Sequence, residues 1–527
     1  MTGEVTLHPA DWIALAIYVV LTFAIALRVR LGQKNESDYY LAGRNTHWIL
    51  IGVSMYATLF STVSFVSMPG EGYKHGMLMS LQSIGYTIFT PLAVWMFLRF
   101  FYNTTSFTAY EYLERRFDLN ARTLGALAFI ILRALYGALV FFAAAKAFQT
   151  LVGWLPMMTI AIVGAITVAY SYIGGMRAII ITDFVQTVVI LGGLLVIIYK
   201  VSTLIGFDYA AAWQYAAAHE HTFGRVATAE FWSIDPRLRY TFWTWLLLAL
   251  TAPLTNYGTD QLVVQRILAS KSYGDAKKAI ILKTVGALPF SLLFYLTGIL
   301  LFFYFNSVTT PPPGVQADSM LGYFINQFLP TPLPGLLAAA LLAALMSSFD
   351  STLNALSTVF AVDVLKRRGW LRDDADLLRI GKRLTLGWGV LMLGLALFLA
   401  QASRNVESTI AEVASILTCL WGVLLVVVMA GIFTRWATAR AATWALLLGG
   451  LVNLYVPWKL YYGTAPEERV SFVWVGVPGW IVALVIIVVV SLLDPRKNTH
   501  LAGLTWSTIR PPANNEPELQ STTRSPS

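Results

Sequence analysis

The sequence predicts an all-α protein that crosses a membrane many times. Three observations carry that expectation. Of 527 residues, 57% are hydrophobic and only 12% are charged, which leaves too little polar surface to cover a soluble globule. The apolar residues fall in thirteen long runs, each about 17 to 20 residues or more, the length a helix needs to span a hydrocarbon core of about 30 Å. The runs are continuous, whereas a β-barrel would alternate apolar and polar side chains over segments of about ten residues.

In chain order the segments cover 11–28, 47–68, 76–101, 122–150, 157–173, 178–200, 240–264, 278–306, 334–362, 380–401, 408–433, 441–459 and 472–493. The first follows MTGEVTLHPAD, which lacks the basic start of a cleaved signal peptide, so it is expected to remain as an extra helix, with 1–46 as its unit. Thirteen crossings leave the termini on opposite sides. Lysine and arginine collect in alternate connections, at Arg28 and Arg44, Arg115 to Arg122, Lys271 to Lys278, Lys366 to Arg372 and Arg435 to Arg440. That set is cytoplasmic by the positive-inside bias, which puts the N-terminus outside and the C-terminus inside. The net charge of +9 thus belongs to topology and anionic lipid, not to nucleic acid. The single cysteine, Cys419, permits no internal disulfide. Outer connections at 201–239 and 307–333 are long enough for short helices, and 498–527, rich in Pro, Ser, Thr and Asn, has the composition of a disordered cytoplasmic tail.

Two segments look interrupted. SMYATLFSTVSFVSMPG (Ser54 to Gly70) is rich in hydroxyls and closed by Pro-Gly, and LTAPLTNYGTDQ (Leu250 to Gln261) holds Pro253 and Gly258. Either they are ordinary proline-kinked helices, or they are discontinuous and free their carbonyls toward a cavity or an ion. They open two blocks of five segments, 47–200 and 240–433, which start from opposite faces and so suggest an inverted repeat. The two segments within 434–497 are additions to it.

The most unusual segment contains AALMSSFDSTLNALS (Ala343 to Ser357). Ala344, Ser347, Ser348 and Ser351 stand at i, i+3, i+4 and i+7, on one helix face. Singly, a serine in a membrane helix bonds back to its own backbone or packs a neighbour. Together they form a row of hard oxygens suited to a cation such as sodium, with the carbonyls of Ala57 and Phe60 opposite. Asp350 lies among them, and a mid-membrane carboxylate costs at least about 2.5 kcal/mol. Asp183 is a second such carboxylate. It is either a helix-start charge at the cytoplasmic interface or a ligand for a second cation near Ser347, Asp350 and Ser351. The six histidines lie in loops or near segment ends without metal-ligand spacing, and no nucleophile and base pattern suggests an enzyme.

With DYYLAGRN, MPGEGYKHG, SYIGGMRAIIITDFVQ, NYGTDQLVVQRILASKS and SSFDSTLNALSTVFAVDVLKR, the chain resembles the sodium/solute symporter family over nearly its whole length. The resemblance implies a leucine-transporter-type fold, alternating access and Na+ as the coupling ion. It implies a principal sodium site at the carbonyls of Ala57, Phe60 and Ala344 and the hydroxyls of Ser347 and Ser348. Some members have a further site, which maps to Asp183, Ser347, Asp350 and Ser351. Asp350 departs from the small polar residue often found there, so a proton is the alternative to a second sodium. The resemblance also implies a solute cavity lined by Ser61, Ser64, Gln82, Asn256 and Tyr257. Ser64 and Asn256 differ from a typical hexose pocket, and the motifs are nearer the branch that handles iodide, vitamins, monocarboxylates and sialic acids. For such an anion Arg133 would be a two-pronged clamp, or else a guanidinium that snorkels or pairs with an acidic neighbour. Gln265 and Arg266 are expected at the cytoplasmic face as an ion-pair anchor or lipid contact. The expected protein is a monomeric sodium symporter for a small anion, with a sugar or polyol as the alternative cargo. It would lie among lipids as a multi-pass protein of a bacterial inner membrane.

Overall fold

A computed structural model describes residues 7–30, 36–103, 108–310, 317–370, 374–402, 416–417, 420–457, 459, 463–465, 468–495 and 501–509. Among these residues the fold is helical, with one isolated bridge between Thr46 and Ser270 and no strand. Nine helices are long and apolar enough to cross a bilayer, and a tenth crossing is a pair bent by 64°. Cys419 and 408–415, expected within the eleventh crossing, lie outside the described residues; the crossing's described helix is Gly422–Phe433.

The helices that position the site are α1 (Pro9–Arg30), α2 (Trp48–Leu59), α3 (Thr62–His75), α4 (Leu81–Asn103), α5 (Leu119–Val152), α6 (Pro156–Leu204), α7 (Phe242–Gly258), α8 (Gln261–Leu268), α9 (Tyr273–Phe303) and α10 (Leu333–Val359). Helix α6 runs 49 residues, about 74 Å at 1.5 Å per residue, far more than one bilayer crossing. It is interrupted at Gly175, whose φ of 61° lies in a region that favours glycine. The two segments expected at 157–173 and 178–200 meet at that point.

Both predicted interruptions exist, but neither is at its proline. Helix α2 ends at Phe60 (φ −93°, ψ 95°) and Ser61 (φ −96°, ψ 174°), while Pro69 sits inside α3. Helix α7 carries Pro253 within it and ends at Thr259 and Asp260, after Gly258. A proline lacks the N–H that would donate to the carbonyl one turn earlier, but it does not by itself stop a helix whose surroundings satisfy that freed carbonyl.

The serine-bearing α10 is the axis of the molecule. In its most apolar stretch 94% of residues are buried, against 22% in α1, so its hydroxyls face other helices rather than lipid. Helices α3 and α9 meet without side chains between them: a Cβ on Gly298 would stand 2.2 Å from the Pro69 carbonyl oxygen, and one on Gly72 would stand 2.3 Å from that of Tyr295.

The connection 201–239 holds the short helices Tyr209–Ala218 and Ala229–Trp232, and 307–333 holds Ala317–Phe328. The tail is more structured at its start than its composition suggests. Residues 501–509 fold back, with the ring of Trp506 4.2 Å from that of Trp95 and the backbone N–H of Trp506 donating to the Ile432 carbonyl at 2.8 Å. The aromatic residue among polar ones anchors them to an apolar groove that the composition of 498–527 does not reveal.

Gly298→Ala should lower the apparent Tm of the purified protein, a loss of about 1–3 kcal/mol from overpacking against backbone. Gly286→Ala on the same helix, where a Cβ would meet nothing within 4 Å, should leave Tm unchanged or raise it. Equal effects would show that the α3–α9 contact is not tight.

Candidate ion and solute site

The interruption between α2 and α3 strips the carbonyls of Ala57 and Thr58 of the donors that an unbroken helix would supply from residues 61 and 62. Hydroxyls of α10 replace them. Ser347 Oγ lies 3.1 Å from the Ala57 carbonyl oxygen and 3.2 Å from that of Ala344, and Ser348 Oγ donates to the Thr58 carbonyl at 3.2 Å. The expected ligands Ala57, Ala344, Ser347 and Ser348 therefore converge, with Phe60 at the break itself. Thr58 joins them through both its carbonyl and its hydroxyl, which is 3.1 Å from Ser351 Oγ. The sequence signal for Thr58 was its place beside Ala57 in the same hydroxyl-rich stretch. Oxygens that share a hydroxyl hydrogen here are also hard ligands able to share a cation.

One turn along α10, Asp350 and Ser351 face Asp183, and all three are at most 2% exposed. Asp183 is thus enclosed by other helices rather than exposed at a helix start. The structure adds a cation that the sequence reading had assigned to the cytoplasmic face: Arg266, 1% exposed. Its Nη2 donates to Asp183 Oδ2 at 3.1 Å and Ser351 Oγ at 2.7 Å, and its Nε donates to Ser54 Oγ at 2.8 Å. Ser54 Oγ donates in turn to Asp183 Oδ2 at 2.5 Å. Burial excludes the lipid-contact reading and leaves the ion pair. Formally, two carboxylates share one guanidinium, a balance of −1. Asp183 Oδ1 and Asp350 Oδ2 have no hydrogen-bond partner among the described residues.

Above the break lies a cavity of about 300 Å³. Ser64, Gln82, Arg133 and Asn256 line it as expected; Ser61 and Tyr257, 1% and 2% exposed, do not. Phe60 and Tyr56 also line it, so the cavity begins at the break, two residues beyond the carbonyl of Thr58 that meets Ser348. Arg133 forms an ion pair with Asp260, which also caps α8 by accepting the Leu262 N–H at 3.0 Å. Of the two readings of Arg133, pairing with an acidic neighbour describes this arrangement, although the guanidinium still borders the cavity and its Nε has no partner among the described residues.

Lys283 of α9 also lines the cavity and was missed, although a lysine inside the apolar segment 278–306 was visible. It is 6% exposed, and its Nζ lies 3.9 Å from the centre of the Tyr86 ring. Tyr86 is oriented by Asn256, whose Nδ2 donates to its hydroxyl at 3.1 Å. Lys283 has no carboxylate in ion-pair range among the described residues, and a mid-membrane ammonium costs at least about 2.5 kcal/mol.

Two further ion-pair clusters lie outside the cavity lining. On the Arg- and Lys-rich side, Asp363 accepts from Arg122 Nε at 2.7 Å and Thr108 Oγ1 at 2.8 Å, while Gln261 accepts the Ala109 N–H at 2.9 Å. Partial burial raises the pKa of nearby Glu114, but the guanidiniums of Arg367 and Arg122 outweigh it and hold the carboxyl below its usual range. On the other side, Glu71 accepts from Arg239 at 2.7 Å and Tyr240 at 2.8 Å.

Comparison with known proteins agrees with these features. The profile of the family described as Sodium:solute symporter family matches residues 39–449. The sodium/sialic acid symporter NanT of Aliivibrio fischeri is 26% identical over 497 residues, covering 93% of this chain and 94% of that protein. The human sodium/iodide cotransporter is 28% identical over 410 residues, 75% of this chain and 62% of the relative. Among solved structures, a Na+-coupled sialic acid symporter in a substrate-bound outward-open state has a TM-score of 0.82 at 23% identity, covering 93% and 99% of the two chains. Mhp1 in a closed conformation has a TM-score of 0.58 at 13% identity, covering 89% and 98%.

Arg266→Met should destabilise the protein by about 3–5 kcal/mol, because it leaves buried carboxylates without their cation. Adding Asp183→Leu should recover more than half of the lost Tm. A double variant no better than the single one would count against the ion pair as the stabilising contact.

Proposed function

The chain belongs to the sodium:solute symporter family, and from that footing we propose that it imports a small organic anion together with sodium by alternating access. The observation that carries the reading is the double membership of the break. Ala57 and Thr58 offer freed carbonyls to the serine hydroxyls of α10, and Phe60, two residues on, lines the cavity. A sodium ion held by Ala57, Phe60, Ala344, Ser347 and Ser348 draws α10 to the break and thereby orders one wall of the solute site. Coupling follows if sodium binds the solute-ready state better than the others.

One sodium crossing 100 mV contributes about 2.3 kcal/mol and a tenfold gradient about 1.4 kcal/mol, enough for roughly 500-fold accumulation. A second sodium at Asp183, Ser347, Asp350 and Ser351 would square that ratio. It would have to share its ligands with Arg266, and the formal −1 there favours such sharing. The partnerless Asp350 Oδ2 also favours a second reading in which the group binds a proton instead.

The proposed solute is a carboxylate, in the monocarboxylate or sialic acid size range, contacted by Ser64, Gln82, Asn256 and Arg133. Ser61 and Tyr257 would then act from behind the wall. Relatives named for sialic acid, iodide and monocarboxylates support an anion over a neutral sugar. The net positive lining of the cavity supports it independently. The proposed topology has thirteen crossings, N-terminus outside and C-terminus inside, with inverted repeats at 47–200 and 240–433 and additional helices within 1–46 and 434–497. The protein would work as a monomer in a bacterial inner membrane.

Proteoliposomes given an inward sodium gradient should accumulate labelled N-acetylneuraminate or lactate, and an equal potassium gradient should not support uptake. Ser348→Ala should lower initial uptake at least tenfold while the protein still inserts. Uptake driven by external acid without sodium would move the assignment to proton coupling, and unchanged sodium dependence in Ser348→Ala would remove the proposed ion site.

A further inference from the structure

Three charged side chains line the cavity: Arg133, Asp260 and Lys283. The first two form an ion pair, so their charges cancel. Lys283 is left as the cavity's uncompensated charge among the described residues, and it stands on α9, opposite the wall that carries Arg133. Its Nζ rests 3.9 Å above the Tyr86 ring and 5.9 Å from that of Tyr257. A ring face gives an ammonium only partial compensation and leaves its N–H donors free for an oxygen acceptor. A buried ionisable group in a membrane helix, bordering a cavity and lacking a counter-ion, points to a ligand that supplies one.

We propose that Lys283 is the primary anion-recognition residue of this cavity, taking the carboxylate of the solute, with Tyr86 and Asn256 positioning it. The assignment rests on reading the cavity as the solute site and deepens it. Asn256 donates to the Tyr86 hydroxyl and so fixes the ring against which the ammonium lies. The carboxylate can dock on Lys283 without displacing anything, whereas Arg133 is available only if Asp260 gives it up. A carboxylate suits the site better than a spherical anion, since the amide and hydroxyl groups of Gln82 and Ser64 share its wall.

Lys283 thus acts through charge, and its role is separable from stability. Lys283→Met removes a buried ammonium that has no counter-ion, so in the absence of solute its Tm should equal or exceed that of the wild type. The wild type in sodium should be stabilised by N-acetylneuraminate or lactate, and not by the matching methyl ester or lactamide. Lys283→Met should weaken binding of the acid at least tenfold, and Lys283→Arg should restore most of it. Three results would each overturn the assignment: acid binding undiminished in Lys283→Met, wild type stabilised equally by acid and neutral analogue, or stabilisation by iodide with none by either carboxylate. A neutral sugar that stabilises wild type and Lys283→Met alike, with a sodium requirement, would also overturn it, while leaving the cavity as a sodium-linked solute site.

Discussion

The architecture depends on one constraint: a helix interrupted inside a bilayer must find new partners for the carbonyls it uncovers, because no water is present to supply them. At the end of α2 the partners are Ser347 and Ser348, delivered by the most buried of the membrane-length helices among the described residues. That requirement explains why a row of hydroxyls runs down the molecular axis and why α10 cannot face lipid. Hydroxyl and carbonyl oxygens brought together in this way are adaptable: the same atoms that satisfy one another can close around a hard cation. Structural repair of the break and the proposed ion coordination would therefore draw on one set of groups.

Charge is sorted around the break. The cluster of Asp183, Asp350 and Arg266 is formally −1, and the cavity holding Arg133, Asp260 and Lys283 is formally +1. Both lie in a low-dielectric interior where the field of one reaches the other with little screening. Under the proposed assignment, a cation entering the first region and an anion entering the second would each relieve a local imbalance, and each would favour the other's arrival.

Much of this was legible in the sequence. Helical class, the two interruptions, the i, i+3, i+4, i+7 row from Ala344 to Ser351 and four of the six cavity residues follow from periodicity, hydroxyl content and family motifs. The misjudged features share a cause: they depend on which distant group meets a side chain. Pro69 and Pro253 drew attention as breakers, but tertiary contacts stop α2 nine residues before the first and α7 after Gly258. For Arg266 an ion-pair anchor and a lipid contact are both open in a linear segment, and only the fold shows that its partner is Asp183, 83 positions away. Lys283 was overlooked because a lone lysine eleven residues into a long helix looks like a snorkelling residue until the ring of Tyr86 is seen beneath it. The start of the tail was judged by its polar composition, while contacts to distant residues hold it, with Trp506 against Trp95, Leu504 bonded to Tyr112 and Ser507 to Arg435.

Asp260 begins α8 and holds Arg133, so the start of one helix and the wall of the cavity are tied to one carboxylate. The adjacent residue, Gln261, is bonded to Ala109 beside Thr108 at the positively charged face. A ligand that captured the guanidinium would leave this carboxylate with only its backbone donors: the positive end of α8 would still favour its charge, but a buried carboxylate stripped of its cation is costly. The pair therefore sets an energetic threshold: any ligand that takes the arginine must offset the cost of leaving the aspartate buried without its cation.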